Sequence, residues 1–320
     1  MEEVSREIFY ESVRTWADVP FSQSEGWIRM QSGGREERVR YFLDENIGCA
    51  AHVKRFGGLS MLMVDTECLR HKETKASTYK QFYEDLRRQG CQIVEVNSRR
   101  PYSAACEVGM RQAGYLRPVG SFSYELTKLI DLQQPVSYDE NWRRHLKKTA
   151  SAGLKLTDTG NPTQDDCADF VRLYEEMGRR KHLRVPADSA SLAMLLADKR
   201  FRLYFLETSD KERIATILIH LRGEEAGLIY AANGAKADGL YAGFEMYRQL
   251  LETLQEAGVR VFDMEKMGAS AHSTNAVYQF KNGIRGTLTA LCGEWSAYRY
   301  RGTALGMYFI KKYVWHRQQA

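Results

Sequence analysis

The sequence predicts an α+β fold in which one β-β-β-α-β unit occurs twice. Three observations carry that prediction. The same order of strand and helix signals runs through each half. A glycine stops the long helix of each half, Gly90 and Gly258, about half the chain apart. The hydrophobic fraction of 43% over 320 residues is enough for two cores and too high for a disordered chain.

In the first half, "RVRYFLDENIGCAAHVKRFGGLSMLMV" (38–64) reads as three strands. "STYKQFYEDLRRQG" (77–90) reads as a helix: Tyr79, Phe82, Tyr83 and Leu86 recur at i, i+3, i+4 and i+7, with Ser77 or Thr78 expected as the cap. The strand "CQIVEV" follows. In the second half, "FRLYFLETSDKERIATILIHLRGEEAGLIYAANG" (201–234) reads as three strands with charged turns. The helix "AGFEMYRQLLETLQEAG" (242–258) lines up Phe244, Tyr247, Leu251 and Leu254 on one face, and the strand "VRVFDM" follows. Between the units, "PVSYDENWRRHLKKTASAGLKL" reads as a strongly basic helix with Trp142, Leu146 and Thr149 on its buried edge, and "DDCADFVRLYEEMGRRKHL" as another helix. The expected boundaries are a first domain over 1–135 and a second over 136–320 that includes the basic linker helix 139–153.

Composition narrows the class. Lys and Arg number 46 against 41 Asp and Glu, a net charge of +5, which suits anionic partners: phosphates, RNA ends or acidic lipid headgroups. A solvated surface is the plainer reading of the basic helix, with contact to phosphate or anionic lipid as the alternative. No run of 18 apolar residues occurs, and "MEEVSREIFY" lacks the basic-then-apolar pattern of a signal peptide, so a cytoplasmic protein is expected. The six cysteines are scattered without a C-x-x-C pair and read as reduced core thiols; no histidine cluster has metal-ligand spacing.

The duplicated unit is the core order of the GCN5-related N-acyltransferase (GNAT) fold. The chain resembles the Fem family of peptidoglycan bridge-forming aminoacyltransferases and, more loosely, the BioF2-like acyltransferases. The likeness rests on an ordered set of patches: "PFSQSEGW", "NWRRHLKKTASAGLKL", "LYEEMGRRKHLRV", "LIYAANG", "GVRVFDMEKMG" and "VYQFKNGIRG". No sustained heptad run occurs, so the chain resembles members without a coiled-coil arm. Two departures stand out: Arg285 replaces the phenylalanine expected before the last glycine, and "FDMEKMGAS" holds Gly268 where the family has a glycine pair.

The resemblance implies amide formation between an aminoacyl group, carried on aminoacyl-tRNA, and an amine of a peptidoglycan precursor, UDP-linked or lipid-linked, with peripheral contact at the inner face of the membrane. No resident cofactor is implied; aminoacyl-tRNA or acyl-CoA enters as co-substrate. Two other readings stay open: a BioF2-like acyl-thioester-dependent N-acyltransferase of polysaccharide or envelope biosynthesis, and a non-catalytic precursor- or RNA-binding protein. A coenzyme A cradle needs small residues at the start of the helix after strand four, because backbone N–H groups must approach the pyrophosphate. There the second unit has "KADGLY", with Tyr241 in a small position, and the first has no glycine. A formal match, "RYRGTA", lies beyond the predicted core and is short enough to arise by chance.

The resemblance assigns Lys281 to the oxyanion that builds when an amine attacks an ester; by itself Lys281 reads as a strand-end lysine. Phe280 is placed for stacking on the donor's terminal adenine, or else in the core. Tyr230 falls at the end of strand four, where the donor carbonyl is expected; its hydroxyl is placed to bond the substrate peptide, or else it is a half-buried strand tyrosine. Arg180 and Arg184 lie four apart, in a region the family uses for a diphosphate contact. Asp263, at the end of strand five, forms a turn, or else orients the acceptor amine or positions Lys281 by charge. His52, His220 and His272 receive no role, since no triad spacing involves them.

Overall fold

In the computed structural model, residues 1–56, 58–117, 126–181, 188–267 and 276–314 are described, and they form two units, each with its own mixed sheet. The first unit begins with β1 (Glu2–Val4), α1 (Arg6–Val13), α2 (Glu25–Ser32), β2 (Val39–Leu43), β3 (Ile47–Phe56), β4 (Leu59–Asp65) and β5 (Cys68–Leu69). It continues through α3 (Ala76–Arg87), β6 (Ile93–Pro101) and α4 (Ala104–Gln112). The second unit holds β7 (Leu126–Asp131), α5 (Glu140–Thr149), β8 (Lys155–Asp158), α6 (Gln164–Lys181), α7 (Ser189–Leu196), β9 (Phe201–Glu207), β10 (Arg213–Arg222) and β11 (Glu225–Asn233). After these come α8 (Ala235–Gly239), α9 (Ala242–Glu256), β12 (Val261–Asp263) and α10 (Ala276–Asn282). The chain then supplies β13 (Thr287–Tyr298) and α11 (Arg301–Phe309).

Both β-β-β-α-β signals form as expected. The four apolar residues predicted for α3 are its buried residues, and α9 buries Tyr247, Leu251 and Leu254. The predicted cap of α3 is corrected: the helix starts at Ala76 behind Lys75, and neither Ser77 nor Thr78 caps it. In α5 the Asp139 carboxylate accepts the Trp142 N–H at 2.8 Å, and Trp142 is fully buried while the four basic residues face solvent. Full burial of rings such as Phe262 or Trp142 stabilises the core by about 2–3 kcal/mol each. All six cysteines are free and buried.

The expected domain boundary needs correction. The units divide at 126/127, and residues from 289 onward return to the first unit. The cause is strand pairing. β6 pairs antiparallel with β13, from Pro101 opposite Leu291 to Ile93 opposite Tyr298. β7, which follows α4 in the chain, pairs antiparallel with β12 of the second unit. Each unit's strand five is therefore flanked by a strand that the chain supplies after the other unit's strand five. The first sheet runs β1-β2-β3-β4-β6-β13, with β5 beside β3, and the second runs β7-β12-β11-β10-β9-β8.

Candidate active site

The second unit's sheet opens between its two parallel strands. β11 and β12 share three rungs: Glu225 with Val261, Ala226 with Phe262, and Gly227 with Asp263. Beyond Gly227, β11 runs six residues further, to Asn233, paired with β10; among the described residues no strand covers its other edge. Backbone groups of a strand alternate between its two edges, so half of this stretch presents N–H and C=O into the opening. A β-bulge sharpens the effect: Tyr230 is opposite Leu218 and Leu228 opposite Ile219, which leaves Ile229 as the extra residue. A bulge re-aims the neighbouring backbone and twists the strand. In the first unit the corresponding strands stay closed. β4 and β6 pair from Met61–Ile93 to Asp65–Asn97, and the Arg99 guanidinium grips both Asp65 carboxylate oxygens at 2.9 and 2.8 Å.

Asp263 stands on the last rung before the strands part. Its Oδ1 accepts the Thr127 hydroxyl and, at 2.7 Å, the Glu265 N–H. Burial drives its pKa above the usual carboxylate value, against the hydrogen bonds and the nearby Lys281 charge, which pull the other way. A carboxyl whose pKa is raised accepts a proton more readily than a free one, the property a base beside this fork needs.

Lys281 is not at a strand end. It lies on α10, buried, and its ammonium donates to three successive carbonyls: Met264 at 2.6 Å, Glu265 at 2.7 Å and Lys266 at 2.9 Å. An ammonium has three donors, so all are taken. The carbonyls converge because Glu265 is left-handed, at φ 52°, a strained state for a residue with a Cβ. Burial pushes the Lys281 pKa down to about 8, with Glu265 and Asp263 opposing. In this arrangement Lys281 holds the turn that follows Asp263 and has no donor left for a substrate oxygen.

Phe280 points the other way. Its ring packs on Trp142, Phe244 and Tyr247 at 4.8, 5.1 and 5.3 Å, and its carbonyl accepts the Trp142 Nε1–H at 2.8 Å. The structure thus uses this ring in the core. Tyr230, just past the bulge, is half-buried and meets the rings of Phe170 and Tyr174 on α6. Arg180 donates to the Asn233 carbonyl at 2.7 Å and pairs with Asp238 at 3.0 Å, fixing the end of β11 to α8. Arg184 lies outside the described residues. Asp263, Lys281 and the Tyr230 strand end are thereby in one region, with Arg180 at its far end and Phe280 behind it.

Thr127 and Lys128 on β7 are not among the residues expected from sequence, since nothing in "LTKLID" sets them apart. Lys128 is buried and donates to the Asn282 carbonyl and side-chain oxygen at 2.7 and 3.1 Å. Nor does the sequence show why the glycines of "FKNGIRG" are there. A Cβ at Gly283 would run into the Trp142 ring, and one at Gly286 would lie 2.5 Å from the Leu129 carbonyl oxygen. The motif is a packing cassette that seats α10 against α5 and β7.

The start of α9 offers little to a pyrophosphate. Tyr241 is left-handed at φ 54°, its ring held between His145 at 4.6 Å and the Lys148 ammonium at 4.7 Å. The Asn233 amide sits 2.9 Å from where a Cβ of Gly243 would be. At α8 the Glu176 carboxylate already accepts the Ala235 N–H at 3.2 Å.

Residues 137–281 match the family described as acetyltransferase (GNAT) domain, so the chain carries an acyltransferase domain. No curated protein matches the chain by sequence. Solved structures with similar folds include FemX, at 10% identity and TM-score 0.71, covering 95% of this chain and 99% of that one. L-PGS from Bacillus licheniformis is 14% identical with TM-score 0.65, covering 99% and 98%. The C-terminal domain of a putative lysylphosphatidylglycerol synthetase from Agrobacterium fabrum is 14% identical with TM-score 0.62, covering 95% of each chain. The fold is the Fem-like tandem GNAT fold, without a coiled-coil arm among the described residues.

Proposed function

We propose that this chain, an acyltransferase of Fem-like tandem GNAT fold, moves an aminoacyl group from aminoacyl-tRNA to an amine of a peptidoglycan precursor. The observation that carries the reading is the fork between β11 and β12 with Asp263 on its last rung. An acceptor amine of ordinary pKa, about 10, arrives protonated at neutral pH. Asp263 takes that proton. The amine nitrogen bonds to the ester carbonyl carbon, and negative charge moves to the carbonyl oxygen, where the N–H groups of β11 around the Ile229 bulge stabilise it. The C–O bond to the donor then breaks: the nitrogen gives its second proton to the departing ribose oxygen, which leaves as the hydroxyl, and Asp263 releases the first proton to solvent.

Lys281 acts as a positioning residue: it sets the turn after Asp263 and adds positive charge to the pocket. Two features favour a tRNA-borne ester over a coenzyme A thioester. The phosphate-binding start of α9 is taken up by Tyr241 and Asn233. The exposed basic face of α5 (Arg143, Arg144, Lys147 and Lys148) runs up to Tyr241 and suits a longer polyanion.

The test offers the full chain a pool of charged tRNAs, or acyl-CoA thioesters, with a precursor pentapeptide as acceptor. Product from charged tRNA that disappears after RNase treatment is expected. Product formed from thioesters and insensitive to RNase overturns the donor assignment. Binding of RNA or precursor without turnover of either donor overturns the enzymatic one.

A further inference from the structure

The chain's last helix carries an unexplained surface. Of the twelve large exposed hydrophobic residues among the described residues, five, Tyr300, Leu305, Tyr308, Phe309 and Tyr313, lie within fourteen residues at and beyond α11. Leu305, Tyr308 and Phe309 are spaced i, i+3 and i+4 on α11, and the Tyr313 ring, in the π-helical turn Ile310–Val314, stacks on Phe309 at 5.9 Å, so the four form one stripe; Leu305, Phe309 and Tyr313 are 60%, 49% and 56% exposed. The helix is not loose. Met307 and Lys311 are 2% exposed on the opposite side, and the Lys311 ammonium pairs with Glu95 on β6 and donates to the Ser296 hydroxyl. That anchoring fixes which face looks outward.

The chemistry of the stripe selects its occupant. Three of its members are aromatic, and two of those are tyrosines with polar tips. The Lys312 ammonium lies over the rings of Tyr308 and Tyr313, at 5.4 and 5.3 Å. Arg301 is exposed at the start of the helix, and no acidic residue follows Glu294 in the chain. Aromatic rings with wet tips, with the Lys312 ammonium over two of them and Arg301 at the start of the helix, match the boundary between anionic headgroups and acyl chains. A protein partner would meet the same rings but gives no reason for an ammonium lying over two of them at once. No described helix is long and apolar enough to cross a membrane, so the contact is one of lying on the surface.

We infer that α11 and the turn after it form an interfacial anchor that seats the first unit on an anionic bilayer. It is a contact separate from the basic face of α5, for which the sequence offers phosphate or anionic lipid only as the alternative to plain solvation. The inference does not rest on the proposed reaction.

Flotation of the full chain with vesicles of phosphatidylcholine, alone or mixed with phosphatidylglycerol, tests it. Wild type is expected to float with the anionic vesicles only. Phe309→Ser/Tyr313→Ser and, separately, Lys312→Glu are expected to weaken binding by at least about tenfold. Thermal unfolding should be unchanged for both, because the altered side chains are exposed. Three results overturn the inference: wild type that stays unbound, α11 variants that still bind fully, or binding lost instead on Arg143→Glu/Lys147→Glu in α5. A concentration-dependent dimer in sedimentation velocity that Phe309→Ser/Tyr313→Ser abolishes assigns the stripe to a second copy, and overturns it as well.

Discussion

Asp263 and Lys281 carry opposite burdens from the same burial. Desolvation raises the carboxyl and lowers the ammonium, the direction in which each prefers neutrality. For Asp263 the native state therefore binds a proton more readily than the unfolded chain. This contribution to stability is fully present below the ordinary Asp range, about 3.9, and is lost as pH rises through the raised native value. Asp263→Asn should then be at least as stable as wild type at neutral pH, by thermal unfolding, while kcat falls by about 10²- to 10⁴-fold and the acid limb of the pH–rate profile disappears. Undiminished turnover would remove Asp263 from the base role. Gly283→Ala is expected to act the other way: the added methyl meets Trp142, costing about 1–3 kcal/mol, read as a lower Tm. In sequence, "FKNGIRG" is an aromatic and a cation side by side before two glycines. The packing reasons for its glycines were not legible, because Trp142 and Leu129, which forbid a side chain there, lie far away in sequence. Asp263 was legible as a strand-five end, but not its depth of burial, which depends on β7.

At the level of elements, the long helices were read well and α10 was not. Twelve-residue α3 and fifteen-residue α9 show several turns of apolar period, and the residues named for their buried faces are the ones that pack. The seven residues of α10 hold Val277, Tyr278 and Phe280 close to a glycine, a composition that suits a strand end equally. What makes them helical is tertiary: the Lys281 clamp on one side and the Phe280 aromatic contacts on the other. The basic face of α5 was visible from composition. Its placement beside Tyr241 was not. If that face holds a polyanionic donor, Arg143→Glu/Lys147→Glu should weaken donor binding and flatten its dependence on salt by about the number of phosphate contacts removed. Filter binding with charged tRNA at several salt concentrations reads this directly; an unchanged slope would return the face to plain solvation.

At the scale of the whole chain, the duplicated unit was legible and its wiring was not. Local periodicity reports which residues form strands, whereas the pairing of β6 with β13 joins residues 190 (Pro101 to Leu291) to 205 (Ile93 to Tyr298) positions apart and leaves no local mark. The pairing predicts that residues 1–135 expressed alone will lack cooperative unfolding, since β6 loses a partner and the core loses Cys292, Trp295 and Ala297. Circular dichroism melts of the fragment check this, and a sharp transition would count against it. There is also a consequence in time. A ribosome adding roughly 5–20 residues per second needs on the order of 10–30 s to pass from the end of the first unit's opening stretch to its returning strand. During that interval β6 is an exposed edge on a nascent chain, the kind of edge that recruits other strands. The order of synthesis thus makes the first unit, though it emerges first, the last to close its sheet, and makes it the part most dependent on protection while the second is being built.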